Sequence, residues 1–370
     1  MDFLLNEDQL AFADSAKAVF ADFCSPDQQV AYEAGSAGMM TELWQQCVAN
    51  GLNGIVLPEA DGGLEMGMTE LMAVVIEQGK ALAQVPLWEQ QIARACVARF
   101  GSAAAKAALK EDDIVTVGLE NTINKIAAQA GLTAQNGKMN GKSEAVPFAD
   151  SAQFALLPVQ VDGAARLVLL DLNGAGISRN TGRNQAQTGV AQIVASNAKL
   201  DSAMLLDAAA LAWLEPRVMA CQAALQLGVS AEHLAQTVVY VTERKQFERP
   251  IGSFQLVQGK MADCQMAVEA LRSALYQLVY RLDAGFAAQS EAYATRILAI
   301  ECGHLVGHAA QHVHGGIGVD ITYPIHRFGC WSRTLNSAHG GIEQNLAALG
   351  NWLAQNDKLG WKYNAAEEAA

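Results

Sequence analysis

The chain has 370 residues, of which 51% are hydrophobic and only 6% aromatic, and its formal net charge is −13, from 25 Lys and Arg against 38 Asp and Glu. That length allows two or three packed units. The acidic balance argues against a nucleic-acid or anionic-membrane binder, while a local basic patch can still hold a phosphate-bearing small molecule. The seven cysteines are odd in number, widely spaced and free of any CxxC pair, the start "MDFLLNEDQLAF" is acidic where a secretory leader is basic, and no apolar run approaches the ~20 residues that span a bilayer; the expectation is a cytoplasmic protein with reduced, mostly buried thiols.

Residues 1–111 read as a helical domain. Asn6, with Gln9 three residues on, has the pattern of a helix N-cap with its reciprocal partner, and the apolar positions Leu10, Ala13 and Phe20 follow. The stretch "LPEADGGLEMGM" (57–68) is a turn-rich break, after which "TELMAVVIEQGKALAQ" resumes a helical pattern that stops before Pro86.

Residues 112–200 change character. "DIVTVGLE", "SAQFALLPVQV" and "ARLVLLDL" are short β-type runs, punctuated by turn signals at Asn136-Gly137, Asn140-Gly141 and Asp162-Gly163, the last set between two apolar runs as in a hairpin. A small, largely antiparallel β domain is expected.

Residues 201–370 return to the helical pattern. Leu227, Ala231, Leu234, Val238 and Val241 recur at steps of four and three. The series from Phe254 through Val257, Met261, Cys264, Val268 and Leu271 continues in the same rhythm to Leu282. A 3.5-residue period held that long predicts a helix of about 29 residues, about 43 Å long, packed side by side with others at a shallow angle. The expected fold class is therefore α+β, mostly α: an N-terminal helical domain, a small antiparallel β domain and a C-terminal four-helix bundle. Part of the long stripe could face another subunit.

Two segments carry chemistry. "ERKQFERPIGSFQ" (243–255) is either a solvated turn between helices or a site where Arg244 clamps a phosphate with paired, charge-assisted hydrogen bonds while Phe247 offers an apolar face. "QHVHGGIGVDITYPIHR" (311–327) combines three histidines with a Gly-Gly-x-Gly turn. His312 and His314 are two apart and do not share a helix face, and no Cys, His, Asp or Glu stands at a zinc-like spacing, so no metal site is expected.

The first segment resembles the R-x-x-F-G-x-P-I-x-x-F-Q signature of the acyl-CoA dehydrogenase family, and the second resembles that family's Q-x-x-G-G-x-G signature with its following Tyr-Pro. "DFLLNEDQ" and "LPEADGG" are similar to two further landmarks of the family, so the resemblance covers nearly the whole chain. It implies a flavoprotein fold that dimerises through the C-terminal bundle. In that family the Arg-x-x-Phe and Gly-Gly segments reach across the dimer to the pyrophosphate and adenosine of FAD held mainly by the other subunit. Carried over by position, the cofactor-binding residues are Arg244, Phe247, Gln255, His312, Gly315 and Gly316, with His312 standing where the family usually has Gln. The glycine that follows the phenylalanine is replaced by Glu248.

The family's reaction requires a carboxylate that removes the α-proton of an acyl-CoA thioester. The position of its commonest base falls on His339, and a second position falls near Val218, with Glu215 about one turn away but before Pro216. Neither position holds a glutamate. His339 is thus the one, weak, catalytic candidate; otherwise "AHG" (338–340) is a structural loop in a subunit that has lost its base. The segments that hold the flavin ring in the same subunit also depart from the pattern: "GLEN" (118–121) keeps only Glu120, and in "SEAVPF" (143–148) Ala145 and Pro147 replace Trp and Thr.

This asymmetry implies a non-catalytic subunit of a heteromeric acyl-CoA dehydrogenase, lending cross-dimer FAD contacts to a catalytic partner. One branch of the family that acts on CoA thioesters of steroid side chains is built in this way, as an α2β2 heterotetramer. An electron acceptor would complete the reaction. Two alternatives stand beside this reading: a self-sufficient homo-oligomeric flavoenzyme using His339 or Glu343 as its base, and a flavin-free structural or regulatory protein on the same fold.

Overall fold

Helix α1 (Glu7–Phe23) starts at the capping box read from the sequence: Asn6 Oδ1 accepts the Gln9 N–H at 2.8 Å, and Gln9 Oε1 accepts the Asn6 N–H at 3.0 Å. The computed structural model describes residues 5–119 and 131–356, so Glu120 lies outside the described residues. After α1 come α2 (Pro26–Ala34), α3 (Thr41–Ala49), α4 (Met68–Ala81), α5 (Leu87–Phe100) and α6 (Ala103–Ala108). The expected break at 57–68 contains a single 3-10 turn, Glu59–Asp61, closed by Gly62 at φ 79°.

The middle region holds β1 (Val115–Val117), β2 (Leu132–Gln135), β3 (Lys138–Pro147), β4 (Phe154–Val161), β5 (Ala164–Asp171), β6 (Ile177–Arg183) and β7 (Gly189–Lys199). Their order is β1-β4-β2-β3-β7-β6, with β5 also paired to β4. Most pairs are antiparallel, but β4 pairs parallel with both β1 and β2. Asp162-Gly163 makes the expected two-residue hairpin, joining Val161 to Ala164 with both turn residues at positive φ (51° and 84°). Asn136-Gly137 does the same between β2 and β3. Asn140-Gly141, read as a third turn signal, is instead an irregularity inside β3, where the register on β7 shifts between Met139 and Gly141. The long strand β7 supplies the pairing that keeps the chain extended through it.

The chain then enters α7 (Ala210–Glu243), the hairpin β8 (Lys245–Gln246) and β9 (Arg249–Pro250), and helices α8 (Gln255–Asp283), α9 (Gln289–His314), α10 (His326–Ser337) and α11 (Gly341–Gln355). Helix α8 has 29 residues, the length predicted from its stripe. Cys264, Val268, Leu271, Leu275, Leu278 and Leu282 of that stripe are buried, while its first three members are half-exposed. Pro216 does not delay α7: it sits in the second turn, so Glu215 and the buried Val218 share one helix.

The chain forms two compact units. One comprises residues 1–29, 72–83 and 219–370; its core includes a crossing of α4 and α7 so close that a Cβ on Gly79 would meet the Leu225 carbonyl at 2.3 Å and one on Gly228 would meet the Ile76 carbonyl at 2.0 Å. The other comprises residues 30–71 and 84–218, with the sheet and α5. There α5 buries three consecutive polar residues, Glu89, Gln90 and Gln91. Gln90 accepts the Val115 N–H at 2.6 Å, and Gln91 donates to the Leu52 carbonyl at 3.0 Å. Among the described residues no helix is long and apolar enough to cross a membrane. None of the seven cysteines forms a disulfide, and burial pushes the Cys96 thiol up to about 12 and those of Cys264 and Cys302 up to about 11.

Candidate functional site

Helix α7 ends at Glu243, and Arg244 leads directly into the β8–β9 hairpin. The hairpin pairs Gln246 with Arg249, so its loop is the dipeptide Phe247-Glu248, both at positive φ (51° and 64°). A two-residue loop of this kind needs left-handed backbone at both positions. That is the physical reason for the family's glycine where this chain has Glu248. The same geometry lifts Phe247 off the surface: its side chain is 88% exposed. It meets Phe254 edge-on at 6.4 Å, and the Arg249 guanidinium lies over the Phe254 ring at 4.0 Å.

Phe247, Gln255 and His312 line one pocket of about 610 Å³, together with Phe254, Leu256 and Lys260. Three of the six cofactor candidates are therefore brought together by the β8–β9 hairpin, the start of α8 and the last turn of α9. Lys260 and Phe254 were not among the candidates. The first follows Gln255 at one helical turn and a half, which sequence spacing alone gives no reason to select. Arg244, Gly315 and Gly316 are exposed and lie outside the pocket lining. A Cβ on Gly315 or Gly316 would meet nothing within 4 Å, so the backbone there is open to a close approach. Gly315 takes φ 61°, and its carbonyl accepts the Gln311 Nε2–H at 3.0 Å.

The turn is anchored from beneath. His314 is buried, its Nδ1 lies 2.8 Å from the Ala310 carbonyl, and its ring stacks on Tyr240 at 4.2 Å and lies 5.7 Å from Tyr323. Burial holds the His314 pKa below the usual imidazole range and, with Tyr240 and Glu243 adding to it, the Tyr323 pKa above the usual phenol range. His312 and His314 thus have separate places: His312 faces the pocket and His314 is a packing residue. Among the described residues no group of three or more His, Cys, Asp or Glu is placed to hold a metal ion.

His339 lies in the short turn Ala338–Gly340 between α10 and α11, at φ 51° and 1% exposure. Two buried side chains brace this turn. Arg296 donates from Nη2 to the Leu335 and Ala338 carbonyls, the latter at 2.8 Å, and Asn345 donates from Nδ2 to the His339 carbonyl at 3.1 Å. Glu343 is exposed. In the sheet, Ala145 sits at a register shift of β3 with φ 47°, and Pro147 pairs with Val190. Neither offers an aromatic face or a hydroxyl.

Residues 6–111 match the family model for the acyl-CoA dehydrogenase N-terminal domain, and residues 217–354 match that for the C-terminal domain. The acyl-CoA dehydrogenase FadE27 of Mycobacterium tuberculosis is 30% identical over 370 residues, covering 96% of this chain and 99% of that protein. Among solved structures, the ChsE4-ChsE5 complex of Mycobacterium tuberculosis aligns with a TM-score of 0.89 and 29% identity, over 96% of this chain and 100% of the matched one. A variant of the Tcur3481-Tcur3483 steroid acyl-CoA dehydrogenase aligns at 0.88 with 31% identity, over 94% and 98% of the two chains. Matched at both ends by the family's two helical domains and alike in fold along its length, the chain belongs to the acyl-CoA dehydrogenase family.

Proposed function

We propose that this chain is the non-catalytic subunit of a heteromeric, FAD-dependent acyl-CoA dehydrogenase acting on CoA thioesters of the steroid side-chain type. The observation that carries the reading is the exposed cofactor face. Phe247 is 88% exposed and Leu256 85% exposed, beside an open pocket lined by Lys260, and Gly315 and Gly316 outside that lining are free to be approached. Large apolar side chains exposed to this degree mark a surface that another molecule covers. The residues fit one end of FAD: Arg244 and Lys260 supply positive charge for a pyrophosphate, Phe247 and Phe254 supply ring faces, and Gln255 and His312 supply hydrogen bonds. When bound, FAD supplies the two-electron oxidant for α,β-dehydrogenation.

The chain's other half of such a site is poorly equipped. Where the family's base stands, this chain has a buried imidazole on a turn whose backbone carbonyls are held by Arg296 and Asn345, and in place of the ring-holding Trp and Thr it has Ala145 and Pro147. Loss of a general base costs roughly 10²–10⁴-fold in rate. The two similar structures described above are each complexes of two different chains by their names, and one is a steroid acyl-CoA dehydrogenase. That supports a heteromeric assembly with a catalytic acyl-CoA dehydrogenase chain, an electron acceptor and a steroid-derived thioester.

The test is to purify the chain alone and together with the product of a neighbouring dehydrogenase gene. The expected result is a colourless protein alone and a flavin-containing, active complex after co-expression, with flavin lost on Arg244→Ala. A yellow and active single chain would overturn the proposal in favour of a self-sufficient homo-oligomer. No flavin in either preparation would leave a structural or regulatory role.

A further inference from the structure

We infer a second ligand site, on the cleft between α9 and α10, that binds a small oxyanion of the phosphate or diphosphate type. It is distinct from the flavin pocket: the two have no lining residue in common, and the argument for it does not depend on the role of FAD.

Four of the seven histidines, His233, His304, His308 and His326, line this one cleft of about 300 Å³, together with Arg333. In a chain with net charge −13, its lining contains no carboxylate. His304 and His308 project from successive turns of α9 with ring centroids 5.1 Å apart. Arg333, exposed on α10, forms no ion pair with any described carboxylate. An uncompensated guanidinium beside several imidazole N–H donors is suited to tetrahedral oxyanions, which accept several charge-assisted hydrogen bonds at once.

The floor of the cleft supplies an independent indication. His233 on α7 is 3% exposed, stacks on Phe328 at 5.5 Å, and its Nδ1 has no hydrogen-bond partner among the described residues. A buried ring nitrogen left in that state costs free energy unless something else satisfies it. The cleft is also built from small residues. A Cβ on Gly307 or Gly329 would meet nothing within 4 Å, so these two glycines border empty space rather than packed core. Imidazoles ligate metals too, but no three of these groups are placed to share an ion, and the arginine opposes a cation. His326 points the same way: its Nδ1 lies 2.8 Å from the Tyr323 carbonyl, leaving Nε2 to meet a phosphate oxygen or its O–H.

The test is calorimetric titration of the full-length chain, in a buffer without phosphate, with inorganic phosphate, pyrophosphate and ADP. Pyrophosphate is expected to bind below about 1 mM. Arg333→Gln is expected to weaken it about tenfold or more, and His304→Gln about threefold or more. Gly329→Leu, which fills open space without touching the core, is expected to abolish it. Arg244→Gln, outside this cleft and among the residues proposed to contact the flavin, leaves it unchanged. ADP binding more tightly than pyrophosphate identifies a nucleotide as the source of the oxyanion, and equal binding identifies the free oxyanion; either supports the site. Absence of heat up to about 10 mM with all three anions, or binding that survives Arg333→Gln and Gly329→Leu but fails in Arg244→Gln, overturns it.

Discussion

The His314 ring stacks on the Tyr240 ring with centroids 4.2 Å apart and planes 21° from parallel. Tyr240 stands one turn before Arg244 on α7, and its amide partnership confirms the continuity: the Arg244 N–H donates to the Tyr240 carbonyl at 2.8 Å. His314 immediately precedes Gly315. One aromatic contact therefore ties the base of the Arg-x-x-Phe element to the base of the Gly-Gly turn. A double-mutant cycle with Tyr240→Leu and His314→Leu, read by urea unfolding, should give a coupling energy of about 0.5–1.5 kcal/mol. Additive losses would mean that the two elements are positioned independently.

Glu248 occupies a left-handed position that glycine holds at far lower cost, and its acidic side chain adjoins the residues proposed to contact the flavin. Glu248→Gly should raise stability by roughly 0.5–1 kcal/mol, the strain relieved being partly offset by the freedom glycine gains in the unfolded chain. It should also raise the flavin content of the co-purified complex, measured as absorbance per protomer. A stable variant with reduced flavin content would show that Glu248 contributes to the site rather than detracting from it.

Arg296 is fully buried and donates to two carbonyls at the end of α10. Hydrogen bonds from a charged donor are worth about 1.5–3 kcal/mol each. Arg296→Gln should therefore destabilise the protein by about 3 kcal/mol, and faster hydrogen exchange should be concentrated at the amides of residues 338–345. Uniform acceleration along the chain would assign Arg296 to general core stability instead of to this turn.

Burial pushes the Glu89 carboxyl from 4.5 up to about 8. The folded state thus holds this proton more tightly than the unfolded state. Its stabilising contribution is complete below about pH 4.5 and is lost as pH rises through about 8. Over that window the wild type should lose about 1.4 kcal/mol of stability per pH unit relative to Glu89→Gln, in unfolding curves taken at several pH values. Parallel curves for the two proteins would mean that Glu89 is ionised when folded.

His233 has the opposite sign. Burial, followed by the nearby His314, pushes it from 6.5 down to about 3. Its contribution is complete above about pH 6.5 and is lost as pH falls toward 3, again by about 1.4 kcal/mol per unit. His233→Gln should flatten the acid limb of the stability profile, followed by circular dichroism. An unchanged acid limb would show that His233 is protonated in the folded chain.

The order of helices, strands and helices, the capping box at Asn6, the hairpin at Asp162-Gly163 and the 29-residue α8 were all legible in the sequence. Each depends on residues within a turn or two of one another, or on a burial period that a single helix imposes on itself. The family signatures were legible for the same reason: Arg244 to Gln255 is one continuous stretch whose turn chemistry is local. Asn140-Gly141 marks the limit. The same dipeptide chemistry that makes a turn elsewhere makes a bulge in β3, because β7, more than fifty residues away, pairs on both sides of it. Lys260 joins Gln255 and His312 in one pocket only because α8 lies against the end of α9. The histidine cleft is the fullest case. Its groups come from α7, α9 and α10, and only the packing of those helices turns scattered imidazoles and one arginine into a single basic surface on an acidic protein.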